Sequence, residues 1–138
     1  LFLNGPNLNL LGSREIEIYG KDSLQEIADW IDEQIESKIK ATWLQSNHEG
    51  DLIDQIQASE DLYEGIVLNA GALTHYSYSI RDAINSVTTP TIEVHLSDVY
   101  SREKFREKSV LKDVCLSQIS GLGKEGYLEA LKKLTSYI

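Results

Sequence analysis

An arginine and a tyrosine stand close together in a short segment bounded by glycines, GSREIEIYG at positions 12–20. A phenol titrates at about pH 10, so a tyrosine is a poor base at neutral pH unless a nearby cation stabilises the phenolate. Arg14 could stabilise a phenolate on Tyr19 in this way. Such a pair would suit the removal of a proton from a carbon next to a carbonyl group. The alternative is two solvated side chains in a polar surface loop.

Arginines are few and unevenly distributed along the chain. Three of the four, Arg14, Arg102 and Arg106, fall in segments that leave predicted strands, whereas most lysines lie on predicted helix faces. A guanidinium stays charged and presents a planar fork that matches a carboxylate. Three such groups around one pocket indicate a small anionic substrate, and three solvated surface arginines are the competing interpretation.

All three histidines, His48, His75 and His95, come at or shortly after predicted strand ends. A three-histidine metal site is disfavoured, because spacing along the chain does not establish that the ligands converge. His95 is better suited to proton transfer, with Glu93 on the same face of its strand to fix the tautomer. We favour a capping or loop-bracing role for His48, before the helix predicted in GDLIDQIQ. For His75, a ligand contact and a helix-entry role both stay open.

Five segments with strand character alternate with amphipathic stretches. The strand segments are LFLN at 1–4, ATWLQS at 41–46, GIVLNAG at 65–71, TIEVHLS at 91–97 and VCLSQIS at 114–120. Helical spacing of apolar residues is clearest in SLQEIADWIDEQIESK, where Ser23 and Glu26 form a capping-box pattern. Further helices are predicted in GDLIDQIQASE, SYSIRDAINSV and KEGYLEALKKLTSY.

A length of 138 residues predicts one domain, residues 1–138, and the candidate proton-transfer residues make it a catalytic domain. Strands separated by helices are parallel with right-handed crossovers, so the predicted fold class is α/β, a flavodoxin-like three-layer sandwich with a five-stranded parallel sheet. Ligands bind outside the carboxyl ends of such strands. The segments there are rich in polar residues, among them Asn7, Asn69 and Gly71, which are either ligand contacts or turn formers.

Charge and cysteine content exclude several kinds of partner and location. A net charge of −9 and a pI near 4.7 disfavour binding to nucleic acid or to an anionic membrane surface. No apolar run approaches the roughly 20 residues that span a bilayer. A single cysteine, Cys115, favours a reducing compartment, so we predict a cytoplasmic protein. Because the chain begins without Met, inside LFLNG, we expect trimmed ends, and a removed targeting segment stays open.

Five long motifs stand in order over nearly the whole chain: LNGPNLNLLGSREIEIYG, QSNHEGDLID, LNAGALTHYSYSIRDA, IEVHLSDVYSREKFR and SGLGKEGYLEAL. Together they closely resemble the type II 3-dehydroquinate dehydratases of the shikimate pathway, which serves aromatic amino acid biosynthesis. The resemblance implies anti elimination of water from 3-dehydroquinate, through an enolate, to give 3-dehydroshikimate. It implies no metal, no Schiff base and no other cofactor. It also implies a homo-oligomer, a dodecamer built from trimers.

The resemblance further implies roles for individual residues. Tyr19 would remove the C2 proton, with Arg14 stabilising the charge in the transition state. His95, oriented by Glu93, would protonate the departing C1 hydroxyl, and Asn7 would hold a water that stabilises the enolate.

Other positions match the family's substrate-binding residues. These are Asn69, Gly71, His75, Asp82, Leu96, Ser97, Arg102 and Arg106. Within this set, Arg102 would also support the tyrosine, and Asp82 would reach into the site of a neighbouring subunit. The stretch REKSVLKDVC departs from many relatives, which carry a His-Ser pair and a proline there, so the loop 108–113 is the least securely predicted region.

The segment 9–22 is long enough to act as a lid, and we expect it to be mobile without ligand and to order over substrate.

The alternative function is a redox or inactive flavodoxin-like binding module. A flavin site would need Ser, Thr and Gly donors around a phosphate, and NGPNLN supplies few. A phosphorylation receiver would need an aspartate where Asn69 stands.

Overall fold

A five-stranded parallel sheet lies between two layers of helices in a computed structural model that describes residues 1–138. The strands are β1 (Phe2–Asn4), β2 (Trp43–Gln45), β3 (Ile66–Asn69), β4 (Thr91–His95) and β5 (Ser117–Ser120). They pair in the order β2-β1-β3-β4-β5, and every pairing is parallel. This confirms the predicted flavodoxin-like α/β fold class, with each strand shorter than the segment that predicted it.

Five α-helices connect and follow the strands. They are α1 (Ile16–Tyr19), α2 (Leu24–Gln34), α3 (Glu49–Leu62), α4 (Tyr78–Ser86) and α5 (Glu125–Tyr137). The capping box predicted at the start of α2 is confirmed, because Ser23 Oγ accepts from the Glu26 N–H and the Glu26 carboxylate accepts from the Ser23 N–H. The single turn α1 was not predicted, and it follows Glu15, whose φ of 31° is left-handed.

Alternation along the strands divides the core into two halves, because successive strand residues point to opposite faces of a sheet. On one face, Leu3 and Leu68 pack among the apolar side chains of α3 and α4. On the other face, Phe2, Val67 and Val94 pack among those of α2 and α5. None of the helices combines the length and apolar composition that crossing a bilayer requires.

One close backbone approach and one left-handed glycine shape the carboxyl edge of the sheet, where β1 lies beside β3. A Cβ atom at Gly5 would lie 2.5 Å from the Ala70 carbonyl oxygen, so the two segments could not come together with a side chain there. Gly71 has a φ of 60°, a conformation that most residues avoid. The strand order reverses direction at this edge, which is where flavodoxin-like sheets bind ligands.

Candidate active site

A cleft at the carboxyl ends of β1, β3 and β4 encloses about 580 Å³, part of it open to solvent. The structure brings all but two of the residues predicted for the site to its wall. These are Asn7, Arg14, Tyr19, Asn69, Gly71, His75, His95, Leu96, Ser97, Arg102 and Arg106. Of the other two, Glu93 is completely buried behind His95, whereas Asp82 lies exposed on α4 and does not line the cleft of its own chain.

Tyr19 lies between two guanidinium groups at the mouth of the cleft. Its phenol oxygen accepts hydrogen bonds from Arg102 Nη1 at 2.8 Å and from Arg14 Nη2 at 3.1 Å. The guanidinium carbons also lie over the phenol ring, at 4.4 Å for Arg14 and 5.2 Å for Arg102. The oxygen therefore faces two positive charges, an arrangement that stabilises negative charge on it.

The two arginines are fixed by further contacts with the strand-end loops. Arg102 Nη1 also donates to Ser97 Oγ at 3.3 Å, and Ser97 lies two residues after the end of β4. Arg14 reaches the Asn7 carbonyl oxygen at 3.5 Å, and Asn7 takes a left-handed φ of 69° at the start of a short 3-10 turn. The loops after β1 and β4 thus meet at the phenol oxygen of Tyr19.

His95 and Glu93 form a buried pair at the base of the cleft. The imidazole Nε2 lies 2.6 Å from Glu93 Oε1, so Nδ1 is the ring nitrogen left for the cleft. Burial alone would raise the pKa of Glu93. Hydrogen bonding to His95 and the positive charge of that imidazole, together with hydroxyl donors, outweigh burial and hold the Glu93 pKa below its ordinary value.

Three further side chains hold the Glu93 carboxylate, and sequence reasoning missed all of them. Thr74 Oγ1 makes a short hydrogen bond to Oε1, Ser109 Oγ lies 2.9 Å from both carboxylate oxygens, and Gln118 Nε2 donates to Oε2 at 3.1 Å. Only Gln118 left a usable signal, because it pairs directly with Glu93 in the β4–β5 register.

His75 closes one side of the cleft with its orientation fixed by a backbone carbonyl. Its Nδ1 lies 2.7 Å from the Lys108 carbonyl oxygen, and because a carbonyl can only accept, Nδ1 carries the proton. The ring meets Phe105 edge-on at 5.6 Å. Burial lowers the pKa of His75 and the charges of His95 and Arg106 lower it further, against the Lys108 carbonyl and Glu93, so the neutral imidazole is favoured.

The other predicted positions have mixed surroundings. Arg106 pairs with Glu103 and lies 4.7 Å above the Phe105 ring while still lining the cleft. His48 occupies the position that precedes α3, as predicted, but its side chain makes no capping hydrogen bond. No group of three or more His, Cys, Asp or Glu side chains is arranged to hold a metal ion.

Asn69 is oriented by a buried hydrogen-bond network with Tyr127 and Asn4, which the sequence did not predict. Its Nδ2 donates to the Tyr127 hydroxyl at 3.0 Å, and that hydroxyl donates to Asn4 Oδ1 at 2.6 Å. The Asn69 Oδ1 accepts from the Gly71 N–H at 3.2 Å. Because Tyr127 is completely buried on α5, the last helix fixes a side chain of the cleft.

A second groove lies at the opposite ends of the strands and differs in chemistry. It is bordered by Leu1, Tyr63 and Ile138 and is lined by no histidine and no arginine. Convergent histidines, arginines and asparagines therefore distinguish the cleft at the carboxyl edge as the candidate active site.

The known proteins that resemble this chain are dehydroquinases. The family model described as dehydroquinase class II matches residues 1–135. The 3-dehydroquinate dehydratase of Bacillus subtilis (strain 168) is 54% identical over 137 residues, covering 99% of this chain and 93% of the relative. The crystal structure of the type II dehydroquinase from Butyrivibrio crossotus DSM 2876 superposes with a TM-score of 0.94 at 49% identity, covering 97% of this chain and 94% of that one.

A more distant relative has the same architecture. The type II dehydroquinase from Propionibacterium acnes is 36% identical, has a TM-score of 0.92, and the match covers 98% of this chain and 94% of that one. The match of the family model over nearly the full length, together with the identity to the Bacillus enzyme, shows the family. The chain belongs to the class II dehydroquinases.

Proposed function

We propose that this protein is a hydro-lyase that converts 3-dehydroquinate to 3-dehydroshikimate by anti elimination through an enolate. The observation that carries the proposal is the position of the Tyr19 phenol between two guanidinium groups, in the same cleft as the buried His95–Glu93 pair. These two centres supply a base and an acid from different loops. The names of the closely related proteins support the same substrate.

The first step is proton removal by the phenolate of Tyr19. The phenolate takes the proton from C2, and the electron pair moves onto the C3 carbonyl to form the enolate. Arg14 and Arg102 stabilise the phenolate because each donates a charge-assisted hydrogen bond to its oxygen. Asn7, which lines the cleft, holds a water against the enolate oxygen.

The second step is departure of the C1 hydroxyl. The enolate collapses to form the C1–C2 double bond, the C1–O bond breaks, and the leaving oxygen takes a proton from His95 to depart as water. Because Nε2 is hydrogen-bonded to Glu93, the proton comes from Nδ1. The Glu93 carboxylate stabilises the doubly protonated imidazole before the transfer.

Substrate binding falls to the remaining polar wall of the cleft. Arg106 suits the substrate carboxylate because its guanidinium lines the cleft beside Phe105. His75, neutral and protonated on Nδ1, presents Nε2 as an acceptor and suits a substrate hydroxyl. Asn69 and Ser97 suit the ring hydroxyls, and the backbone of Leu96 and Gly71 adds to the wall near them.

Assembly is part of the proposal. Asp82 is exposed on α4, and the nearby Tyr76 and Tyr78 are 63% and 59% exposed, so this face is available to a second subunit. We propose a trimer in which Asp82 reaches the neighbouring cleft, and a dodecamer built from trimers. Light scattering at low micromolar protein tests this. A stable, fully active monomer would remove the role of Asp82.

The cytoplasmic location stays a prediction.

The decisive experiment follows enone absorbance after 3-dehydroquinate is added to purified protein with a chelator present. We expect turnover that is insensitive to the chelator and that falls by several orders of magnitude in Tyr19→Phe, because the phenol is the base. Tyr137→Phe, at a 65% exposed tyrosine on α5, is the matched control and should keep full activity. Undiminished turnover in Tyr19→Phe would refute the mechanism.

The redox or inactive binding module has less support. The position of Tyr19 between two arginines and the His95–Glu93 pair at the same cleft support the elimination, and no observation favours a flavin there. An absorption spectrum of the purified protein separates the two functions, since a flavin would add its visible bands.

A further inference from the structure

The Glu93 carboxylate is completely buried, and the one ionisable side chain that pairs with it is His95. No lysine or arginine contacts it, so no permanent positive charge offsets the loss of hydration. An ionised carboxylate in such a place depends on hydrogen-bond donors, because burying a charge is costly unless it is paired and hydrogen-bonded. The neutral donors are Thr74, Ser109 and Gln118.

Ser109 differs from the other two donors in how fully its oxygen is used. The Ser109 Oγ accepts from the N–H groups of Leu111 and Lys112, each at 3.1 Å. Both lone pairs of the hydroxyl oxygen are then occupied, and its single proton is left to donate. That proton faces Glu93, with both carboxylate oxygens 2.9 Å away. The backbone N–H groups therefore polarise the hydroxyl toward the carboxylate.

The segment that carries Ser109 is firmly attached to the core, so the hydroxyl cannot easily turn away. The side chains of Val110 and Leu111 are buried in the core between the sheet and the α3–α4 layer. The Val110 N–H donates to the Thr74 carbonyl at 2.9 Å, and Arg81 Nη1 donates to the Val110 carbonyl at 2.7 Å. This is the segment that departs most from the motif resemblance, yet it is anchored on two sides.

We infer that Ser109 is a positioning residue for the general acid: its hydroxyl, polarised by the N–H groups of Leu111 and Lys112, holds Glu93 as a carboxylate aimed at His95. The inference rests on the proposed function, because it assigns Ser109 to the acid half of that reaction. Without the Ser109 donor, Glu93 binds a proton more readily and no longer stabilises the protonated imidazole.

The other titratable groups facing this pair act in known directions. His75 and Arg106 lie close enough for charge interactions in the cleft, and burial lowers the pKa of His75 so that it stays neutral. On the far side, burial and then the charge of Glu93 raise the pKa of the Cys115 thiol to about 12, so the thiol does not ionise in competition. Loss of the Ser109 hydroxyl should therefore change the protonation of Glu93 and not that of His75 or Cys115.

The test compares the wild type with Ser109→Ala and Ser109→Thr. We expect Ser109→Ala to lower kcat by about 10- to 100-fold, as for loss of one hydrogen bond to a charged group, with KM little changed. The acid limb of the kcat–pH profile should move to higher pH, because without this donor the Glu93 carboxylate takes up its proton at a higher pH. Ser109→Thr, which keeps the hydroxyl, should restore most of kcat and the original limb.

A matched control separates this role from simple loosening of the loop. Arg81→Met removes the hydrogen bond to the Val110 carbonyl but leaves every donor to Glu93 in place. It should lower the melting temperature without moving the acid limb. If Ser109→Ala does not fold, Ser109→Cys replaces it, since a thiol fills similar space but donates poorly. An unmoved acid limb in the folded variant, or an equal shift in Arg81→Met, would overturn the inference.

A second readout does not depend on turnover. The infrared carboxyl band of Glu93, assigned by subtracting the spectrum of Glu93→Gln, gives the protonation of this residue directly as pH is lowered. It should titrate at higher pH in Ser109→Ala than in the wild type. Absence of turnover in the wild type would refute the proposed function. If Glu93 titrates at the same pH in Ser109→Ala as in the wild type, only the inference about Ser109 is refuted.

Discussion

Arg102 donates a 2.8 Å hydrogen bond to the phenol oxygen of Tyr19, although 83 positions separate the two residues in the sequence. The loop after β4 thereby completes a centre that begins in the loop after β1. Arg14, five positions from Tyr19, supplies a local cation, and Arg102 supplies one that exists only in the folded chain. The environment of the phenol thus depends on the sheet that brings the two loops together.

Replacement of Arg102 by lysine should lower kcat by about 10²-fold. A lysine ammonium is a point charge on a flexible stem and cannot donate to Tyr19 and Ser97 together in a planar geometry, as the guanidinium does. Steady-state kinetics with 3-dehydroquinate measure the loss. The matched control is Arg81→Lys on α4, outside the cleft, and equal kcat values for the two variants would contradict the role of Arg102.

Acid unfolding should carry a contribution from Glu93. Its pKa in the folded protein lies below the ordinary value of 4.5, so the native state binds fewer protons than the unfolded state in that range. The resulting stability is present above about pH 4.5 and is lost as pH falls through the lowered folded pKa. Denaturant titrations between pH 7 and pH 3 should show a shallower loss of unfolding free energy in Glu93→Gln, which cannot titrate. Parallel curves would contradict this assignment.

Removal of the Tyr127 hydroxyl should destabilise the protein from within the core. In Tyr127→Phe, Asn4 Oδ1 loses its donor and Asn69 Nδ2 loses its acceptor in a buried site, which costs about 1–3 kcal/mol. The KM for 3-dehydroquinate should rise as well, because Asn69 is no longer held. Urea unfolding and steady-state kinetics measure the two effects. Tyr137→Phe should change the unfolding free energy by less than about 0.5 kcal/mol, being exposed.

Segment 9–22 should become protected when the cleft is filled. It carries Arg14 and Tyr19, while Leu10, Ile16 and Ile18 in it are exposed. Closure over a bound molecule would shelter these groups and exclude water. Hydrogen–deuterium exchange with and without a slowly turned-over substrate analogue measures the change. Equal exchange in both states would show that the segment is not a lid.

Local patterns allowed much of this structure to be predicted. The capping box of α2 involves residues three apart, and amphipathic spacing located the four longer helices, so both were readable from sequence. The location of the cleft followed from the rule that parallel strands end at a common edge. That rule placed Tyr19, His95 and Arg102 together without any distance being known.

What could not be predicted depends on contacts between distant segments. Ser109 reaches Glu93 from a loop whose path no periodicity defines, and Tyr127 reaches Asn4 across most of the chain. The turn α1 depends on a left-handed residue at Glu15, where sequence preference gives little warning. In each case tertiary packing decides which polar groups meet.

The hydroxyl of Tyr127 links substrate binding to the stage of synthesis at which α5 is made. A nascent chain leaves the ribosome with both asparagines that this hydroxyl joins long before α5 has emerged. The Asn69 amide is thus held in place only after α5 has been synthesised. We expect a ribosome-bound chain that has not yet released α5 to bind 3-dehydroquinate weakly, because Asn69 is not yet held.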